Sequence, residues 1–125
     1  MKLLIVIAAA ASLQAAGSQP ATEPVSLIRL IANPEAFSGR SVSTMGVLTV
    51  EEERTTLCID EGSASAGARF NCTVLHEDGE YLDHDRAVAF DGEYVQVFGV
   101  YDASSPPRGY QSVIRDIDLI RPVRD

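Results

Sequence analysis

The pattern of apolar and polar positions divides the chain into five stretches of β character behind a short leading helix. Residues 40–50 interleave Ser and Thr with Val42, Met45, Val47, Leu48 and Val50. Residues 94–101 are dominated by aromatic and β-branched side chains and give the strongest strand signal in the chain. Residues 55–59, 70–75 and 111–120 supply the other three strands. Ahead of them, Ser26 is placed to cap a helix whose stripe is Leu27, Leu30 and Ile31. Asn33-Pro34 ends that helix, because a residue before proline avoids the α region. Phe37 follows as an expected plug on the core. In the first strand the apolar parity changes around Gly46, which predicts a bulge there. Leu57, Ile59 and Leu75 compete with Phe70, Cys72 and Val74 for the inward face of the second and third strands, and the pattern leaves both faces open.

The connections read as follows. Residues 51–53, three glutamates, form an acidic turn before Arg54. Residues 60–68 are small and predict a mobile loop, and residues 76–85 form a polar connector leading to a short helical or irregular segment over 86–90. Residues 102–109, with Ser104-Ser105-Pro106-Pro107, must be a loop. One spacing occurs twice: Gly39-x-x-Val42-x-x-x-Gly46-Val47 returns as Gly92-x-x-Val95-x-x-x-Gly99-Val100. Glycine inside a β-branched run marks a bend, a bulge or a close backbone approach. Gly46 and Gly99 are therefore predicted to sit where two strands bend so that the sheet can close.

The amino terminus changes the picture of where this domain works. Lys2 followed by the apolar residues 3–13 and the small residues 15–18 reads as a signal peptide over residues 1–17. That apolar stretch falls short of the roughly 20 residues a membrane-spanning helix needs. Residues 18–24 read as a flexible linker and residues 25–125 as one β domain, so the protein is expected to be exported, periplasmic or secreted. Lys2 is the only lysine, which leaves nine arginines against eighteen acidic residues. Such a balance repels phosphate backbones and disfavours nucleic acid as a partner.

Cys58 and Cys72 are the only cysteines. An even count in an exported chain suggests a disulfide. A hairpin centred near Ser65 would pair residues whose numbers sum to 130, placing Cys58 opposite Cys72, and closing that loop stabilises by about 3 kcal/mol. The alternatives are two buried thiols or a metal or redox pair. Asn71-Cys72-Thr73 matches the glycosylation acceptor pattern and reads as accidental.

Two stretches carry a family resemblance. Asn33-Pro34-Glu35, with Phe37-Ser38-Gly39-Arg40-x-Val42 and Gly46-Val47-Leu48, resembles the first strand of oligonucleotide/oligosaccharide-binding (OB) domains in small exported bacterial proteins of uncharacterised function. Gly92-Glu93-Tyr94-Val95-x-Val97-x-Gly99 is similar to their fourth strand. The resemblance covers residues 25–123. It implies a mainly β fold: a five-stranded OB-like Greek-key barrel with a short N-terminal helix and a short helix between strands three and four. It also implies that ligands bind on strands two and three and on the loops joining strands one to two and four to five. Here those places hold Arg54, Arg69, Tyr101, Arg108 and Tyr110 as candidate contacts.

Catalytic chemistry is harder to place. His76, Asp78 and His84, among Glu77, Glu80, Asp83 and Asp85, have the side chains of a divalent-metal site, yet the spacing matches no closed metal motif. Glu51, Glu52 and Glu53, the pair Asp116 and Asp118, and either histidine are the available acids and bases. No nucleophile elbow or phosphate-cradling glycine loop occurs. No catalytic residue is assigned and no cofactor is indicated. The expected function is a non-enzymatic binding module for a protein of the cell envelope or for a polar small or oligomeric molecule. The alternative is a metal-dependent hydrolase or nuclease on an OB-type barrel, for which Arg40, Arg54 and Arg69 are the candidate cations.

Overall fold

A computed structural model describes residues 21–77 and 81–124. The expected signal peptide lies outside the described residues. Glu23–Pro24 form a two-residue strand, β1, that pairs in parallel with Val42 and Ser43. The residues expected to end the linker are thus already held on the sheet, where an edge position tolerates the proline. Helix α1 (Leu27–Ala32) is capped as expected: the Ser26 hydroxyl oxygen accepts from the Arg29 amide at 3.2 Å. Pro34 opens a second turn of helix, α2 (Pro34–Phe37), and Phe37 is buried.

Strands β2 (Ser41–Val50), β3 (Thr55–Cys58), β4 (Cys72–Leu75), β5 (Tyr94–Asp102) and β6 (Val113–Pro122) close on themselves. Their order is β2-β3-β4-β6-β5, with β5 returning to β2, and all pairs are antiparallel except β4 with β6. The protein is therefore mainly β, a closed five-stranded barrel with β1 added at one edge and a few short helices.

Val47 is the residue where β2 changes partner, facing Tyr94 of β5 on one side and Cys58 of β3 on the other. The bulge expected in β2 is absent, since the pairing with β5 runs without interruption from Ser41 to Val47. Val42, Leu48 and Val50 all reach the main core, so the even positions face inward throughout. Val47 is apolar although it faces out because helix α3 (Glu61–Ala66) packs beside it. The irregularity lies instead in β6. Phe98 faces Leu119 and Val100 faces Arg115, so Gly99 alone stands against Asp116, Ile117 and Asp118. Asp116 takes φ +50° at this point, and Ile114, Ile117 and Ile120 point into the core at intervals of three rather than two.

The two glycines expected at bends, Gly46 and Gly99, lie instead in the regular ladder between β2 and β5. The two copies of the repeated motif pair with each other antiparallel, so that Val42 faces Gly99 and Val95 faces Gly46. The flanking bonds repeat as well. The amides of Gly39 and Gly92 donate to Tyr101 O at 2.7 Å and Leu48 O at 2.8 Å. The Ser38 and Asp91 side chains accept from the amides of Ala103 and Val50, each at 2.9 Å. A local two-fold relation thus sets the closing seam of the barrel.

Residues 60–68 are not a loose loop. Asp60 caps α3, its Oδ1 accepting from the Ser63 amide at 2.7 Å, and Gly67 ends the helix in the left-handed region. That amide bond, with help from the Ser63 hydroxyl, holds the Asp60 carboxyl below its usual range. A 3-10 turn (Arg69–Asn71) then leads into β4. Cys58 faces Cys72 in the register expected, and the two form a disulfide with Cα atoms 4.0 Å apart. Both faces of β3 and β4 are buried, which is why the pattern could not choose between them. Leu57 and Leu75 enter the main core, whereas Cys58, Cys72, Val74, Val113 and Tyr110 form a second cluster. Helix α4 (His84–Ala89), capped by Asp83, occupies the expected place between β4 and β5.

Candidate functional site

Three segments bring one charged hollow together at the end of the second cluster. The β2–β3 turn is tight, the Glu51 amide donating to Arg54 O at 2.8 Å, and it presents Glu51, Glu52, Glu53 and Arg54. The 3-10 turn supplies Arg69 just after the left-handed cap at Gly67. The β5–β6 loop supplies Arg108 and Tyr110, the Tyr110 amide closing a turn onto Pro107 O at 3.0 Å. Gly109 between them has φ +90°, and a Cβ there would lie 2.8 Å from Arg69 Cδ. Glycine lets the loop take that conformation and lets the arginine stem lie across it.

Tyr110 is the centre of the arrangement. Its ring is nearly buried on the disulfide cluster, and the guanidinium carbons of Arg54 and Arg69 stand 5.4 and 5.7 Å from its centroid. Contacts of this kind contribute about 0.5–1 kcal/mol each at exposed sites. The Tyr110 hydroxyl donates to Glu51 Oε2 at 3.1 Å. Burial raises its pKa above the ordinary phenol value, and the Glu51 charge adds to that, while the two arginines pull it back. Tyr110 therefore stays a neutral donor. Glu51, Glu52, Glu53, Arg54, Arg69, Arg108 and Tyr110 line a hollow of about 280 Å³. No ion pair within the described residues engages Arg54, Arg69 or Arg108.

Four of the five expected contact residues meet here, and Tyr101 does not. Its ring is fully buried in the main core and its hydroxyl donates to Leu30 O at 3.0 Å, which fixes α1 to β5. Arg40 is also elsewhere, 3.3 Å from Glu23 and over the Phe37 ring. Only part of the histidine region lies among the described residues. His84 Nδ1 lies 3.8 Å from Glu77 Oε1, Glu77 accepts from the Thr55 hydroxyl, and Asp78 lies outside the described residues. Among the described residues no group of three His, Cys, Asp or Glu side chains stands where it could hold a metal ion.

The β5–β6 loop is anchored at its base by Asp102. The Ser104 hydroxyl and amide donate to Oδ1 at 2.6 and 2.8 Å, and Arg115 Nε donates to Oδ2 at 2.9 Å. The Ser104 bonds, then Arg115, depress the Asp102 carboxyl to about 2. A depressed folded pKa contributes stability that is full above the unfolded value and lost as pH falls through the folded one. The Asp102→Asn variant is thus expected to unfold at lower urea than the parent at neutral pH. That gap should narrow as pH falls from about 4 towards about 2. A gap independent of pH would show that the Asp102 charge does not hold the loop.

Sequence reading missed two other hollows because neither rests on a motif. One, of about 340 Å³, lies between the β1–α1 connection and the outer face of β2 and β5, with Leu27, Met45 and Tyr94 on its walls. Its existence depends on the pairing of β1, for which two residues carry no periodic signal. The other, of about 380 Å³, opens between α3 and Asp91-Gly92 and depends on a helix the small-residue composition concealed. Neither gathers several charged groups of both signs, and the arginine hollow is the one with convergent chemistry.

No protein-family model matches the chain, and no curated protein matches it. A solved structure does: the chain is similar in fold to a DUF3299 family protein from Pseudomonas aeruginosa PAO1, with a TM-score of 0.54. The two share 10% identity over an alignment covering 84% of this chain and 98% of that one. A likeness at that identity is one of fold.

Proposed function

We propose that this protein is an exported binding module built on an OB-type barrel, and that the hollow around Tyr110 is its ligand site. The observation that carries this reading is the pair of guanidinium groups held against a nearly buried tyrosine, neither of them in an ion pair with a carboxylate among the described residues. Arg29 and Arg40 stand over Phe37 in a similar way; what sets the Tyr110 pair apart is that a third arginine, Arg108, lines the same hollow and the ring hydroxyl is held by Glu51, so that donors fixed in advance converge on one place. The position supports it too, since the site lies between the strand one-to-two turn and the strand four-to-five loop. The Cys58–Cys72 disulfide fits an oxidising compartment such as the periplasm or the exterior. The ligand is a polar molecule or oligomer of the cell envelope.

The test is retention. Purified residues 18–125 would be mixed with an envelope extract and separated by size, and co-eluting small molecules would be identified by mass spectrometry. The parent is expected to retain a compound that Arg69→Ala and Arg108→Ala release. Both arginines are exposed; removing Arg108 should leave stability within about 0.5 kcal/mol, and removing Arg69 should cost about 0.5–1 kcal/mol for its contact with the Tyr110 ring. Equal retention by parent and variants, or none by the parent, would sink the proposal.

A further inference from the structure

The balance of charge in the hollow allows the ligand class to be narrowed, an inference that rests on the binding reading above. We propose that the site takes a small zwitterion, a molecule carrying one carboxylate and one ammonium group. Three arginines and three glutamates line the same hollow. A site of arginines alone would suit a polyanion, but Glu52 and Glu53 repel any second negative charge brought beside them. The two kinds of group have not neutralised one another. Among the described residues neither Glu52 nor Glu53 accepts a hydrogen bond or ion pair, and the arginines have no carboxylate partner.

Each half then has a matching chemistry. Arg54 and Arg69 lie against Tyr110 with their N–H edges left for an acceptor, and the guanidinium fork matches a planar carboxylate with two parallel bonds. Glu51 is committed to the Tyr110 hydroxyl. Glu52 and Glu53, exposed on the turn, offer acceptors only, which an ammonium group with three donors satisfies. Size agrees: at about 280 Å³ the hollow is at the small end of ligand pockets, which suits a short molecule.

Three probes of one carbon skeleton separate the possibilities: 4-aminobutyrate with both charges, butyrate with the anion alone and butylammonium with the cation alone. Binding would be followed by NMR through the arginine Nε–H resonances and the Tyr110 ring. 4-Aminobutyrate should bind about tenfold more tightly than either single-charge probe. The double substitution Glu52→Gln with Glu53→Gln should bring it down to the level of butyrate without weakening butyrate. Butyrate binding as tightly as 4-aminobutyrate, with loss in Arg69→Ala, would overturn the zwitterion and leave the binding site standing. Absence of any perturbation by all three probes would also overturn it, with the retention experiment then deciding the broader reading.

Discussion

Exchanging Cys58 and Cys72 together for alanine is expected to lower the unfolding free energy by about 2–5 kcal/mol, a large part of the 5–15 kcal/mol typical of a domain. The bond joins residues 14 apart, and the chain between them folds into α3 and the 3-10 turn. Without it the unfolded chain regains the freedom of that loop, and the folded state loses two buried sulfurs from the cluster with Val74, Tyr110 and Val113. Urea denaturation of parent and variant in oxidising buffer measures the difference. Reductant should bring the parent close to the variant and leave the variant unmoved. A parent midpoint indifferent to complete reduction would refute the assignment of this stability to the bond. Because the same cluster seats the Tyr110 ring, the variant should also lose the fixed stacking of Arg54 and Arg69.

Much of the barrel was legible because its signals are local. The Cys58–Cys72 register follows from simple counting across a hairpin, and Ser26, Pro34 and Phe37 do what their chemistry dictates. Two of the difficulties share one cause, which is burial supplied by a distant element. Val47 looked like a change of parity because α3 packs beside it on the outer face of β2, and β3 and β4 looked ambiguous because both of their faces are covered. Helix α3 itself is written in Gly, Ser and Ala and is decided by its caps at Asp60 and Gly67. In the candidate hollow, Arg54, Arg69, Arg108 and Tyr110 were named from the positions that the OB resemblance implies, whereas the contact of Glu51 with Tyr110 and the burial of Tyr101 needed contacts across 59 and 71 residues of sequence.

The glycines of the repeated motif should divide into two classes on substitution by alanine, according to their place in the motif rather than the copy they belong to. The leading glycines, Gly39 and Gly92, have φ of +89° and +85° with open space around the missing Cβ. Alanine there should cost roughly 1–2 kcal/mol of backbone strain, and asparagine, which tolerates positive φ better, should cost less than alanine. The second glycines have no such conformation and are crowded instead. A Cβ on Gly46 would lie 2.6 Å from Cys58 O and 2.9 Å from Leu57 Cγ, and one on Gly99 2.7 Å from Ile114 Cγ2 and 2.8 Å from Arg115 O. Carbonyl oxygens held in the strand ladders cannot give way as a side-chain tip can. Gly46→Ala and Gly99→Ala should each cost about 1–3 kcal/mol, outweighing the roughly 0.4–1 kcal/mol that alanine gains by restricting the unfolded chain. Valine at either place should prevent the barrel from closing, and asparagine should be worse than alanine, the reverse of its order at Gly39 and Gly92. Thermal and urea midpoints of the eight Ala and Asn variants decide the matter. The same rank of alanine and asparagine at all four glycines would mean that conformation alone explains the motif and that close approach of β3 and β6 to the seam does not.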